Sequence, residues 1–111
     1  MVKLKQGDII KFDFGPQRGS EQAGYRPAVI VSNNLFNTTS TMILACPVTH
    51  TYKKLPFRVK VESSQVDGYI LCDQVKSLDL RDRKYKKVGS LTKGCIEEVS
   101  EILRMIVEPY D

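Results

Sequence analysis

Hydrophobic residues occupy every second position in two stretches of the chain, which is the period of a half-buried β-strand. The first stretch has Ile10, Phe12 and Phe14 separated by Lys11 and Asp13. The second stretch has Phe57, Val59 and Val61 separated by Arg58 and Lys60. Both stretches are therefore predicted to be strands that cover a core with one face.

Four further runs are predicted to be strands: 27–31, 42–48, 69–75 and 87–91. The first two are continuously apolar, as in strands that are buried on both faces. Pro47 indicates a sheet edge or a bulge near the end of its run, because proline has no N–H for a ladder. Asp67-Gly68 predicts the turn that precedes the run 69–75.

One amphipathic helix is predicted near the C-terminus. Thr92 is a typical N-cap residue, and Pro109 ends the helix. The apolar stripe comprises Ile96, Val99, Leu103 and Ile106, widened by Ile102 and Val107, while Glu97, Glu98, Glu101 and Arg104 occupy the other face. The elements together predict a curled, mostly antiparallel sheet closed by one C-terminal helix, which indicates a small barrel.

Composition limits the class of protein. A length of 111 residues predicts a single domain, 1–111. The net charge of +4 favours an anionic partner such as nucleic acid or an acidic protein, although a basic soluble protein without such a partner would have the same charge. No stretch has the length and hydropathy of a signal peptide or a membrane span, so we expect a cytoplasmic protein without membrane association.

Metal and disulfide chemistry are not indicated by the sequence. The three cysteines, Cys46, Cys72 and Cys95, are widely spaced and form no CxxC pair. We therefore expect no metal site and no cofactor. Cys72 and Cys95 are predicted to be small buried residues of a protein from a reducing compartment.

Arg26 is the first candidate for chemistry. It follows the glycine-rich segment Gly19-Ser20-Glu21-Gln22-Ala23-Gly24 at the point where a loop becomes a strand. An arginine mounted this way can donate two hydrogen bonds to a phosphate, and a surface ion pair is the alternative interpretation.

Three motifs resemble those of the MazF/PemK-type toxins, in the family's order and spacing. They are Gly-Ser-Glu-Gln-Ala-Gly-Tyr-Arg-Pro at 19–27, Pro-Val-Thr at 47–49, followed by Pro56-Phe57, and Asp-Gln-Val-Lys-Ser at 73–77. The resemblance runs over nearly the whole chain. It implies a mainly β fold with a C-terminal α-helix, an SH3-like small β-barrel of the CcdB/PemK type, and a symmetric homodimer.

The same resemblance implies a sequence-specific, metal-independent endoribonuclease, or mRNA interferase. In that family the ribose 2′-hydroxyl attacks the adjacent phosphate of single-stranded RNA, leaving a 2′,3′-cyclic phosphate and a 5′-hydroxyl. The family's catalytic arginine and threonine fall on Arg26 and Thr49. A MazE-like antitoxin, whose acidic C-terminal segment blocks the RNA groove, is the implied protein partner.

Arg26 and Thr49 do not account for the proton transfer, because an arginine with a pKa above about 12 is a poor base at neutral pH. Glu21 is the candidate base, and a solvated loop carboxylate is its alternative role. His50, the only histidine, titrates in the useful range. The family motif does not require it, so we interpret His50 as an RNA contact or a bystander.

Further RNA contacts are predicted in three places. The candidates are Ser20 and Gln22 in the first loop, His50, Lys53 and Lys54 after the second motif, and Gln74 and Ser77 in the third motif. Tyr25 and Tyr52 could stack on unpaired bases or simply pack against the fold. The basic run Arg81, Arg83, Lys84, Lys86 and Lys87 could follow RNA, meet an antitoxin, or form a solvated turn.

The main alternative is an inactive module that binds nucleic acid or protein on the same fold. Among such modules, the CcdB-type gyrase poison depends on a tryptophan near the C-terminus, and this chain has no tryptophan. The presence of both Arg26 and Thr49 argues against a degenerate member that only binds.

Overall fold

Seven short strands and two α-helices form the parts of the chain that the computed structural model describes, which are residues 3–13, 25–51, 56–81 and 83–110. The strands are β1 (Asp8–Asp13), β2 (Tyr25–Ile30), β3 (Met42–Thr49), β4 (Arg58–Lys60), β5 (Tyr69–Leu71), β6 (Lys76–Asp79) and β7 (Tyr85–Ser90). The helices are α1 (Asn34–Thr39) and α2 (Lys93–Val107), with a single 3₁₀ turn at Cys72–Gln74.

One antiparallel sheet has the strand order β4-β5-β3-β2-β1-β7, and β6 also pairs with β3. Both β5 and β6 lie along the edge of β3 that does not pair with β2, one after the other. The sheet curls so far that the segments just beyond its two outer strands touch. Thr92 N–H, which follows β7, donates to Glu62 O, which follows β4, at 3.0 Å. The described residues of β4 and β7 form no ladder, so the predicted barrel is a curled sheet with open ends.

Each face of this sheet has its own apolar core. We call the face that packs on α2 the helix face; its core includes Val29, Cys46, Val48, Val59 and Ile70. We call the other one the far face; its core is Leu4, Ile10, Phe12, Ala28, Ile30, Ile43, Ala45, Leu78 and Leu80. The continuous apolar runs in β2 and β3 follow from this, because their alternate residues enter different cores.

The C-terminal helix forms as predicted. Thr92 Oγ1 accepts from Cys95 N–H at 3.3 Å, which caps the first turn. Cys95 and Val99 are buried in the helix-face core, with Ile96, Ile102 and Leu103 partly buried beside them. The predicted apolar stripe is longer than the buried one, however, because Ile106 and Val107 are 39% and 76% exposed.

Two strand predictions need correction. The run 69–75 is not one strand, because the 3₁₀ turn at Cys72–Gln74 separates β5 from β6. Phe57 does not belong to the buried series of β4: it has a positive φ of 68° and is 38% exposed, whereas Val59 is buried. In both segments the hydrophobic pattern of the sequence continues, but the backbone is no longer part of a β-ladder.

Pro47 does not lie at a sheet edge, because β3 is paired on both sides. Its position is still special. The β3–β6 ladder ends at Ala45 and the β3–β5 ladder begins at Val48, so Pro47 lies in the gap between two ladders. A residue without an N–H is tolerated where the ladder is interrupted.

Helix α1 and strand β6 were not predicted from the sequence. Asn33 caps α1 by accepting from Phe36 N–H at 2.9 Å. Asn37 is fully buried; it accepts from Ser32 Oγ, and its Nδ2 donates to Ser32 O at 3.0 Å and to Leu4 O at 3.4 Å. This polar group fastens the short helix to the N-terminal segment.

No helix in the described ranges is both long enough and apolar enough to cross a bilayer.

Candidate active site

Arg26 and Thr49 lie on neighbouring strands at matching positions. The β2–β3 ladder pairs Ala28 with Pro47. Continued by two residues, the same register sets Arg26, in β2, opposite Thr49, the last residue of β3. Residues opposite each other in an antiparallel pair have Cβ atoms about 4.5–5.5 Å apart. The fold thus brings together two residues that are 23 positions apart in the sequence.

These two residues belong to a row that crosses the sheet on its far face. Thr49 pairs with Tyr69 of β5, and Tyr69 pairs with Lys60 of β4. On the other side, Arg26 pairs with Phe12 of β1. The row from the β4 edge inward is therefore Lys60, Tyr69, Thr49, Arg26 and Phe12. Its first four residues form a polar strip, which borders the apolar core of the far face at Phe12.

The hydroxyl of Thr49 is oriented by the chain that follows it. Thr49 Oγ1 accepts from Thr51 N–H at 3.2 Å, so the hydroxyl proton remains available to donate to a ligand. The backbone of Thr49 is held from the other side by Gly68, whose φ is 137°. A Cβ built on Gly68 would lie 2.7 Å from Thr49 O, so only glycine allows this approach.

Arg26 is half-buried, and no described carboxylate forms an ion pair with it. The surface ion pair considered from the sequence is therefore absent from the described part of the chain. An arginine and a threonine on the same face of neighbouring strands can supply charged and neutral donors to one ligand, a combination suited to a phosphate group.

The other predicted site residues fall into two groups. His50 and Gln74 are exposed, His50 next to Thr49 and Gln74 at the end of the 3₁₀ turn. Ser77 is also exposed, but it pairs with Leu44 and so lies on the helix face, away from the row. Ser20, Glu21, Gln22, Lys53 and Lys54 lie outside the described residues, as do Tyr52 and the side chain of Tyr25.

The basic run 81–87 is largely engaged within the protein. Arg81 Nη2 lies 2.6 Å from Asp79 Oδ2, and this ion pair lowers the pKa of Asp79 to about 2. Lys87 Nζ lies 3.2 Å from Oδ1 of the buried Asp8. The guanidinium of Arg83 is 5.6 Å from the centroid of the Phe12 ring. These contacts favour the structural interpretation of this run over an RNA track.

Two cations on the same face as Arg26 and Thr49 were not singled out from the sequence, although its alternation contained the signal. Val59 faces the helix-face core, so its neighbours Arg58 and Lys60 face the far side, where Arg26 and Thr49 lie. The alternation that predicted the strand also predicts this common face. The sequence does not show that β4 pairs with β5 and that β5 pairs with β3, so it does not show that these cations share a sheet face with Thr49.

The three cysteines are free and buried. A hydrogen bond with Cys72, together with burial, raises the pKa of the Cys46 thiol, and burial raises the pKa of Cys95. The prediction that Cys72 and Cys95 are small buried residues is confirmed. Within the described ranges, no group of three His, Cys, Asp or Glu side chains could hold a metal ion.

Known proteins share this fold and sequence over most of the chain. Residues 5–107 match the family of PemK-like, MazF-like toxins of type II toxin–antitoxin systems. The Escherichia coli K12 endoribonuclease toxin MazF is 38% identical over 101 residues, which is 91% of each protein. A chain in the crystal structure of MazE–MazF from Deinococcus radiodurans has a TM-score of 0.82 and 31% identity, covering 96% of this chain and 97% of the other. MazF alone from the same organism has a TM-score of 0.80, 32% identity and the same coverage.

Proposed function

This chain belongs to the PemK-like, MazF-like toxins of type II toxin–antitoxin systems, and on that basis we propose that it is an endoribonuclease that cuts single-stranded RNA at specific sequences. The observation that carries the proposal is the β2–β3 register, which, continued by two residues beyond Ala28 and Pro47, sets Arg26 opposite Thr49 on the far face of the sheet. The order of the three sequence motifs and the overall fold support it.

In the proposed reaction, the 2′-oxygen of a ribose attacks the phosphorus on its own 3′ side. A P–O bond forms to the 2′-oxygen, and the bond to the 5′-oxygen of the next nucleotide breaks. The 2′-hydroxyl loses its proton and the departing 5′-oxygen gains one, which leaves a 2′,3′-cyclic phosphate and a 5′-hydroxyl. Because the nucleophile belongs to the substrate, this reaction requires no metal-bound water and no nucleophilic side chain.

Arg26 stabilises the negative charge that accumulates on the non-bridging phosphate oxygens. Donors that are fixed before the reaction act most strongly on charge that appears in the transition state, and the loss of one such donor costs about 2.7–4 kcal/mol. The position of Arg26 inside a paired strand provides that fixed mounting. Its half-buried environment also excludes part of the water that would screen the charge.

Thr49 donates its hydroxyl proton to the same phosphate. Thr51 N–H already occupies one acceptor site on Oγ1, which orients the remaining proton. A neutral hydrogen bond of this kind contributes about 0.5–1.5 kcal/mol, so Thr49 has the smaller share of the pair. For the base that removes the 2′-proton we propose Glu21, the carboxylate of the first motif.

We further propose that the chain acts in the cytoplasm as a homodimer and is inhibited by a MazE-like antitoxin. The crystal structure of MazE–MazF from Deinococcus radiodurans supports an antitoxin of that kind. The three reduced cysteines are consistent with a reducing compartment. Light scattering at micromolar concentration tests the dimer, and a monomeric mass would contradict it.

The test of the nuclease activity is a cleavage assay on long, unstructured RNA in EDTA, with the cut ends mapped. Discrete cuts with 5′-hydroxyl ends are expected from the wild type. We expect Arg26→Ala to lower kcat by about 100–1000-fold. Thr49→Val, which keeps the side-chain shape, should lower it about 3–10-fold, as expected for one lost neutral hydrogen bond.

Absence of cutting by the wild type on several RNAs would contradict the proposal and favour the inactive binding module. Cuts that persist unchanged in Arg26→Ala would contradict the role of this residue. A Glu21→Gln variant with full kcat and an unchanged pH profile would remove Glu21 as the base.

A further inference from the structure

A pair of cations at the β4 edge has no role in the site described so far. Arg58 and Lys60 lie on the far face, since Val59 between them is buried in the helix-face core. Lys60 is exposed and Arg58 half-buried, and neither forms an ion pair with any carboxylate in the described ranges. The next acidic residue along the chain, Glu62, receives a hydrogen bond from Thr92 Oγ1 at 3.3 Å instead.

The two cations are in register with the catalytic pair. Lys60 pairs with Tyr69, and Tyr69 pairs with Thr49. Adjacent strands are about 4.8 Å apart, so the backbone of Lys60 is about 10 Å from that of Thr49 and about 14 Å from that of Arg26. A single face of the sheet therefore carries Arg58 and Lys60 at the β4 edge and Arg26 three strands away.

The direction of the Lys60 side chain supports a link with this site. Its ammonium nitrogen lies 5.7 Å from the centroid of the Tyr69 ring, a cation–π contact that holds the charge over the strand next to Thr49. Tyr69 is the residue of β5 that pairs with Thr49. Two like charges on one strand face repel each other, and an anionic ligand lying across both would relieve the repulsion.

We propose that Arg58 and Lys60 bind the phosphate backbone of the RNA on one flank of the cleavage site, on the same face of the sheet as Arg26. This inference rests on the proposed nuclease function. It makes Arg58 and Lys60 positioning residues: they hold a phosphate next to the reacting one and do not take part in bond breaking. Their loss weakens substrate binding and leaves the chemical step intact.

The salt dependence of binding tests the proposal independently of cleavage. Each phosphate contact on a single strand contributes about 0.7 to the slope of log Kd against log salt concentration. The probe is fluorescein-labelled oligouridine, followed by anisotropy across a series of KCl concentrations. We expect the slope of Arg58→Gln/Lys60→Gln to fall by about 1.4, with binding about 25-fold weaker at 0.1 M salt. Lys60→Arg in an otherwise wild-type chain should keep the wild-type slope.

The matched control is Lys93→Gln, which removes an exposed cation from the start of α2, outside the far-face strip. It should leave the slope unchanged. In cleavage assays the double variant should raise KM and keep kcat within about two-fold, as expected when binding is lost equally from ground and transition states. Unchanged thermal unfolding of the double variant excludes a folding defect.

An unchanged salt slope in the double variant would overturn the proposal, whether or not the wild type cuts RNA. If the salt slope of the double variant is unchanged and the variant also binds an acidic antitoxin peptide more weakly, the two cations contact that peptide and not the RNA. A lower kcat with an unchanged KM in the double variant would also overturn the proposal. A wild type that binds oligouridine through Arg58 and Lys60 but cuts no RNA would refute the nuclease function and leave this binding site standing.

Discussion

Replacing Gly68 by alanine should damage both the stability of the fold and the position of Thr49. Gly68 has a φ of 137°, a region that side chains with a Cβ rarely adopt, and forcing alanine into it costs about 1–3 kcal/mol. The new Cβ would also lie 2.7 Å from Thr49 O and 2.8 Å from Val48 Cγ1. Overpacking of this kind costs about 1–3 kcal/mol more.

We therefore expect Gly68→Ala to lower the free energy of unfolding by about 2–6 kcal/mol, a large part of the roughly 5–15 kcal/mol that stabilises such a domain. Urea denaturation followed by far-UV circular dichroism measures this loss. The added Cβ would also displace the backbone of Thr49, so we expect the kcat of the protein that remains folded to drop several-fold. The drop should stay below the roughly 100-fold that a 1 Å misplacement causes.

Gly94→Ala is the matched control. Gly94 lies in the first turn of α2, and a Cβ there would meet no atom within 4 Å. Alanine should stabilise the helix by about 0.5–1 kcal/mol and leave kcat unchanged. A free energy of unfolding of Gly68→Ala within about 0.5 kcal/mol of the wild-type value would contradict the strain expected from the backbone angle of Gly68 and its contact with Thr49.

Two further predictions concern residues other than the proposed catalytic residues Arg26 and Thr49. Asn37→Ala should destabilise the protein by about 1–3 kcal/mol in urea, because it leaves buried partners of Asn37 without hydrogen bonds; an unchanged midpoint would show that α1 is held by other contacts. The Asp79 carboxyl should titrate near pH 2 by NMR. Since its pKa lies below the unfolded value of about 3.9, its contribution to stability is present above about pH 4 and is lost as the pH falls through 2. Arg81→Gln should return the titration toward 3.9, and a midpoint that does not move would contradict the ion pair as its cause.

Local patterns in the sequence were sufficient for most elements. The alternation around Ile10 and Val59, the continuous run in β2 and the capped stripe of α2 each correspond to an observed element. They could be predicted because burial is periodic along one strand or helix, and that period depends only on the geometry of the element itself. The same locality explains why the motif around Arg26 could be recognised without a structure.

Predictions failed where the backbone leaves a regular element without a change in hydrophobicity. The 3₁₀ turn at Cys72–Gln74 divides a run that remains apolar, and Phe57 turns outward through a positive φ. Helix α1 was missed because it is short and depends on the buried Asn37 for its attachment. Such features are decided by contacts with distant parts of the chain, which a local pattern does not contain.

The sequence by itself determined the residue types of the site: an arginine after a glycine-rich loop and a threonine at the end of an apolar run. Only the tertiary structure decided that Arg26 and Thr49 stand opposite each other and that Arg58 and Lys60 share their face. The physical reason is that strand register is set jointly by two cores and by the pairing of β5 with β3. Each of these interactions joins segments far apart in the chain, so the neighbours of a side chain across the sheet follow from the fold.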